Sequence, residues 1–185
     1  MRHRLPIALL TVLLTGLVTI AGCGGKPADS SGVGDIPDNQ AFVEYRPPAG
    51  RYAVKIPEGW ARTESGDTAT FTDKLNTVTV TSVSRASAPD VAAGHADLDA
   101  LRATARGFTP GDVTMVHRNA GDAVRLTYRA DAEPDPVTGK VVNDDVERYA
   151  FWHDGLLVTL TLAGPHGADN VDPWRTVTDS LRWLP

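Results

Sequence analysis

The chain has 185 residues, a formal net charge of -5, 42% apolar residues and one cysteine. That length suits one domain with its own core and is too short for two ordinary ones. The acidic balance argues against an electrostatic nucleic-acid binder, and the lone cysteine excludes an intrachain disulfide or a multi-cysteine metal site.

Residues 1–22 read as an export signal. Arg2 and Arg4 form a positive start, Leu5 to Ile20 is apolar, and the small residues Ala21 and Gly22 close it. The apolar run is shorter than the ~20 residues of a bilayer span. No Arg-Arg pair precedes it, which favours the general secretory route. Ile20-Ala21-Gly22-Cys23 resembles the bacterial lipobox. The resemblance implies a diacylglyceryl group on the Cys23 thiol and cleavage just before it. It also implies a lipid-anchored protein at the cell membrane, facing outside the cytoplasm. Two or three acyl chains at ~0.8 kcal/mol per buried CH₂ hold such an anchor firmly. Fourteen of the eighteen basic residues are arginine, a bias that suggests a GC-rich genome and, with the lipobox, an actinobacterium.

Residues 23–40 are expected to be a lipidated, flexible tether. From Gly24 to Gln40 the chain is rich in Gly, Ser, Pro and Asp and has almost nothing to bury. Deleting residues 24–40 is then expected to leave the melting temperature unchanged. The folded domain is expected over 41–185.

Tyr52, Val54 and Ile56 alternate on one face of a strand, Pro57-Glu58-Gly59 makes a turn, and Trp60 opens the next element. Thr68–Thr72 and Thr77–Val83 are Thr/Val-rich strands about a turn at Asp73–Asn76. Leu98, Leu101 and Ala105 recur at helical spacing. A helix is therefore expected at about 95–106, or from near Pro89, with Gly94 clouding its start and Gly107 and Pro110 ending it. Strands follow at Asp112–Arg118 and Asp122–Ala130. A long polar loop runs from Asp131 to Asn143, and a hairpin joins Val146–His153 to Leu156–Leu162 through Asp154-Gly155, a type I′ signal. Asp172 and Pro173 then open a last helix, with Trp174, Val177, Leu181 and Leu184 on one face. This order makes an α+β domain, an antiparallel sheet flanked by helices.

Tyr52-Ala53-Val54-Lys55-Ile56-Pro57-Glu58-Gly59-Trp60 resembles the strand–Pro–x–Gly–Trp opening of PsbP-like domains. The closing stretch from Trp174 through Ser180-Leu181-Arg182-Trp183 is similar to their terminal element. In layout the whole chain resembles the LpqN-like group of actinobacterial lipoproteins. The resemblance implies a PsbP-like α/β/α sandwich, no shared catalytic residues, and an accessory or binding role.

Motifs for catalysis are missing: there is no Gly-x-Ser-x-Gly, Ser-x-x-Lys with partners, or His-Glu-x-x-His. No enzyme activity, cofactor or metal is expected. His95, His117, His153 and His166 show no metal-ligand spacing. His153 reads as a strand-end residue, with an acid–base or metal role as the alternative. The acidic stretch Asp131–Glu147 reads as a solvated hairpin loop, since Pro136 stands where an EF-hand-type loop needs glycine. Arg125, Arg129 and Arg148 would form a basic face if they share one. Trp60, Trp152 and His153 are the candidate ligand-binding residues. The expected partners are the membrane, through the lipid on Cys23, and an envelope protein. The alternative partner is an apolar small molecule such as an envelope lipid, in a groove that the tryptophans Trp60, Trp152, Trp174 and Trp183 would line.

Overall fold

The computed structural model describes residues 32–135 and 137–185. The signal at 1–22, Cys23 and the tether as far as Ser31 lie outside the described residues. Ser31–Pro185 forms one compact unit. Its elements run β1 (Phe42–Tyr45), β2 (Tyr52–Pro57), β3 (Ala61–Ser65), β4 (Thr68–Asp73), β5 (Asn76–Ser84), α1 (Val91–Thr104), β6 (Thr109–Arg118), β7 (Gly121–Asp131), β8 (Asn143–His153), β9 (Leu156–Pro165), α2 (Val171–Asp179) and β10 (Arg182–Trp183).

β3 to β9 make one antiparallel sheet in the order β3-β4-β5-β9-β8-β7-β6, and β1, β2 and β10 make a second, small one. Because strand residues alternate between faces, the register sorts the large sheet's side chains. One face carries Phe71, Val78, Val80, Leu162, Leu160, Val158, Tyr149 and Phe151. These pack with Tyr52, Val54 and Ile56 of β2 and Trp174, Val177 and Leu181 from the C-terminal region. β2 is buried on both faces because the core lies on one side and α2 packs against it. The opposite face is covered by α1 only over β6 and β7. Beyond α1 it is lined by threonines: Thr68 faces Thr81, their hydroxyls 3.2 Å apart, and Thr70 faces Thr79 at 3.3 Å. Such cross-strand pairs hold a sheet surface that has no apolar cover.

α1 starts at Val91, by the earlier of the two starts the sequence offers. Asp90 caps it, its carboxylate accepting the Ala93 N–H at 2.8 Å. Gly94 is a contact rather than a breaker: a Cβ there would stand 2.6 Å from Val113 and Val124, so only glycine lets the helix lie this close to the sheet. The expected last helix is shorter than its apolar pattern. It ends at Asp179, and Arg182-Trp183 turns back to pair with Ala53 and Tyr52. Leu181 reaches the core from beyond the helix end, which is why its spacing imitated a longer helix. Asn170, not Asp172, stands at the N-cap. The hairpin at Asp154-Gly155 has positive φ at both residues, as type I′ requires.

The tether's far end differs from expectation. Ile36 is only 4% exposed and belongs to the core. Its N–H donates to Asn170 Oδ1 at 2.8 Å, and the Gly34 carbonyl accepts from Asn76 at 2.8 Å and Asn170 at 3.2 Å. Asn76 and Asn170 are themselves buried and bonded to each other. One isoleucine in a polar run thus anchors the segment, and the packed body begins before Ala41. Gly34 sits at φ +94, where a Cβ would collide with Pro165.

Candidate functional site

A cavity of about 710 Å³ opens on the threonine-lined face. Its floor is the sheet at Thr77, Thr161, Ala163, Ala130 and Val146. Tyr128, the end of α1 at Thr104–Arg106 and the loop after β7 form its walls. That loop is zipped by its backbone: Ala132 donates to Val142, Asp135 to Lys140 and Gly139 to Asp135. The Asp135 carboxylate closes the turn, accepting from the Thr138 N–H and hydroxyl and the Val137 N–H, which holds its pKa below the usual carboxylate value. Among the described residues no three His, Cys, Asp or Glu side chains converge on a metal position.

Asp144 lines this cavity. It lies between Ala130 and Pro165 in the sheet and is 7% exposed. Its Oδ1 is buried with no hydrogen-bond partner. Burial, and then the neighbouring Asp145 carboxylate, push its pKa up to about 6. Asp145 points to the other face and is fully engaged. Its Oδ2 lies 2.8 Å from His166 Nδ1 and accepts the Gly167 N–H. Two adjacent carboxylates thus have opposite circumstances. Sequence reasoning missed Asp144 because it stood inside an acidic run read as loop. Its alternation with Val146 was the available signal, hidden by starting the strand three residues late.

A smaller cleft of about 360 Å³ lies on the other face, between β7, β8 and the start of α2. It holds His166, Asp145 and Arg129. His166 Nε2 lies 3.2 Å from Arg129 Nη1, so it accepts there while Nδ1–H donates to Asp145. The nitrogen that a general base would use is occupied by a guanidinium, and no serine or cysteine lines the cleft.

The tryptophans do not form one groove. Trp60 is half-buried beside Ile36, Pro37 and Leu75, at the β4–β5 turn end of the sheet. Trp152 is level with Leu157 and Val83, at the other end. Seven strand steps separate the two levels, about 23 Å at ~3.3 Å per residue. Trp152 donates from Nε1 to the Arg85 carbonyl at 2.8 Å, and exposed His153 stacks on Trp183 at 5.1 Å. Trp174 is in the core. The basic face also dissolves. Arg125 and Arg129 share a face with Glu147 and Asp145, while Arg148 pairs with Leu126 and points the other way. Arg125 is bonded to Glu147 and to the Tyr149 hydroxyl, which donates to Glu147 at 2.6 Å.

No family model and no curated protein matches this chain. Solved structures do. Cyanobacterial PsbP (CyanoP) from Synechocystis sp. PCC 6803 is matched at TM-score 0.55 and 15% identity, over 89% of this chain and 99% of that one. The Ran-binding protein Mog1p of Saccharomyces cerevisiae is matched at TM-score 0.52 and 8% identity, over 78% and 96%. The fold is a PsbP-like α+β sandwich. LpqN of Mycobacterium tuberculosis, involved in cell envelope biogenesis, aligns more loosely, at TM-score 0.45 and 12% identity over 80% and 93%. At these identities the likeness is one of fold alone. Among the described residues no helix is long and apolar enough to cross a membrane.

Proposed function

We propose that this chain is a lipid-anchored extracytoplasmic module that binds another envelope component, and that it turns nothing over. The observation that carries the reading is the 710 Å³ cavity on the half-covered face of the sheet. Elsewhere α1 covers that face over β6 and β7, and the opposite face packs on the small sheet and the C-terminal region. A cavity of this size, lined by both apolar and polar side chains, has the dimensions of a small-molecule or side-chain pocket. Histidine, serine and cysteine are absent from its lining, which suits holding rather than nucleophilic chemistry. Mog1p, a Ran-binding protein, shows that this fold can serve binding. The lipobox-like Ile20–Cys23 supports the anchor and a working position outside the cytoplasmic membrane.

One experiment addresses anchor and site together. A photo-crosslinking amino acid replaces Thr161 in the cavity or exposed Glu58 as a control, in the wild-type and Cys23→Ala chains. The expected result is a membrane-bound chain that forms adducts from position 161 and not from 58, with Cys23→Ala lost from the membrane fraction. Equal adducts from both positions would contradict the cavity's role. Unchanged membrane association of Cys23→Ala would contradict the anchor.

A further inference from the structure

Exposed apolar side chains are unevenly placed on this domain. Among the described residues eight large ones are exposed, and five of them, Val33, Leu75, Val137, Val141 and Val171, lie at one end of the large sheet. That end gathers the entering segment, the β4–β5 turn, the β7–β8 loop and the start of α2. Val33, Leu75 and half-buried Trp60 border one hollow of about 520 Å³. Leu75, Pro134, Lys140 and Val142 border the 710 Å³ cavity, so turn and loop form one surface. A lone exposed valine is ordinary, whereas a cluster of apolar side chains with polar neighbours marks a contact surface.

Chain length selects the occupant. Cys23 carries the proposed lipid, and nine residue steps separate it from Gly32, which borders the same hollow as Leu75. Fully extended, nine steps reach about 30 Å. The other end of the sheet lies eight strand steps farther, from Asn76 to Ser84, about 26 Å at ~3.3 Å each. The apolar end reaches the bilayer with a slack link, the opposite end only with one drawn nearly straight. A link this short holds the apolar end at an effective concentration on the order of millimolar, so a modest contact is enough. Lys74, Arg106 and Lys140 stand here among Asp73, Asp131, Glu133 and Asp135, so the surface has no net positive field. Its attraction to lipid is apolar rather than electrostatic.

We infer that this end of the domain lies on the membrane surface, with Val33, Leu75 and Val141 entering the lipid interface. This rests on the proposed anchor at Cys23 and adds an orientation to it.

The test couples the chain Cys23–Pro185 through its only thiol to a maleimide phospholipid in phosphatidylcholine vesicles. This fixes the attachment point without cellular lipidation. An environment-sensitive fluorescent amino acid replaces Leu75, Val141 or, at the other end, the equally exposed Val83. The expected result is a blue shift and quenching by brominated lipid at positions 75 and 141, neither at 83, and both unchanged by added salt. Equal quenching at the three positions, or quenching abolished by salt, would overturn the inference. The anchor is read separately, by mass spectrometry of the intact chain from its own host. Lipidation of Cys23 without the shift would leave the anchor standing and end this inference. The shift without lipidation would keep the membrane-contacting end and end the proposed anchor.

Discussion

Asp144→Asn raises the melting temperature of the domain at pH 7.5 by about 4–8 °C. The folded pKa is about 6 against an ordinary aspartate value of 3.8, so folding binds protons between those two values. Stability therefore falls as pH rises through that window, and the penalty is complete above pH 6. Two units at ~1.36 kcal/mol each, less the amide's own burial, leave about 2 kcal/mol for the substitution to recover. In a domain of this size each kcal/mol moves the melting temperature by about 2–4 °C. The gain shrinks as pH falls from 6 toward 4, where the wild-type group becomes neutral in the folded state. Thermal melts of both proteins across this range check it, and a gain that does not change with pH would contradict the buried-carboxylate account. A stabilising substitution in a cavity wall is the usual mark of a residue kept for use rather than for folding.

A chain trimmed to start at Ala41 melts about 6–12 °C below one starting at Gly32. Removing Ile36 from the core costs about 3 kcal/mol, in the range for losing a buried isoleucine. The cut also takes the Gly34 carbonyl and the Ile36 N–H from two buried asparagines, leaving their amides short of partners. Ile36→Ala in the longer chain is expected to reproduce about half of the loss or more. Identical melting of the two chains would show that the segment does not contribute to the fold. This reverses the sequence-based expectation that residues 24–40 are dispensable.

Alternation and turn chemistry made most of the large sheet legible. The threonine/valine run, the positive-φ pair at Asp154-Gly155 and the polar loop after β7 lie where local pattern puts them, because each is specified by its own residues. The misreadings share a different cause. Ile36 looked like a lone apolar residue in a tether, and what buries it lies 134 residues away at Asn170 and in the core around it. Leu181 kept helical spacing although the chain had left the helix. Gly94 looked like a breaker because the valines that need its missing side chain are on β6 and β7. The candidate site follows the same rule. Trp60, Trp152 and His153 stood out by residue type, yet the register sends the tryptophans to opposite ends of the sheet and lays His153 on Trp183. Asp144 was ordinary by type and becomes notable only through what surrounds it. Arg148 is the simplest case: one residue of register decides its face, and composition does not carry register.

Native mass spectrometry of the domain, Gly32–Pro185, purified gently from its own host, tests the central claim that the Asp144 cavity is a binding site. The account predicts a population carrying one additional small mass, lost when Thr161→Trp fills the cavity. A bare chain in the wild type, or an adduct unchanged by Thr161→Trp, would contradict it.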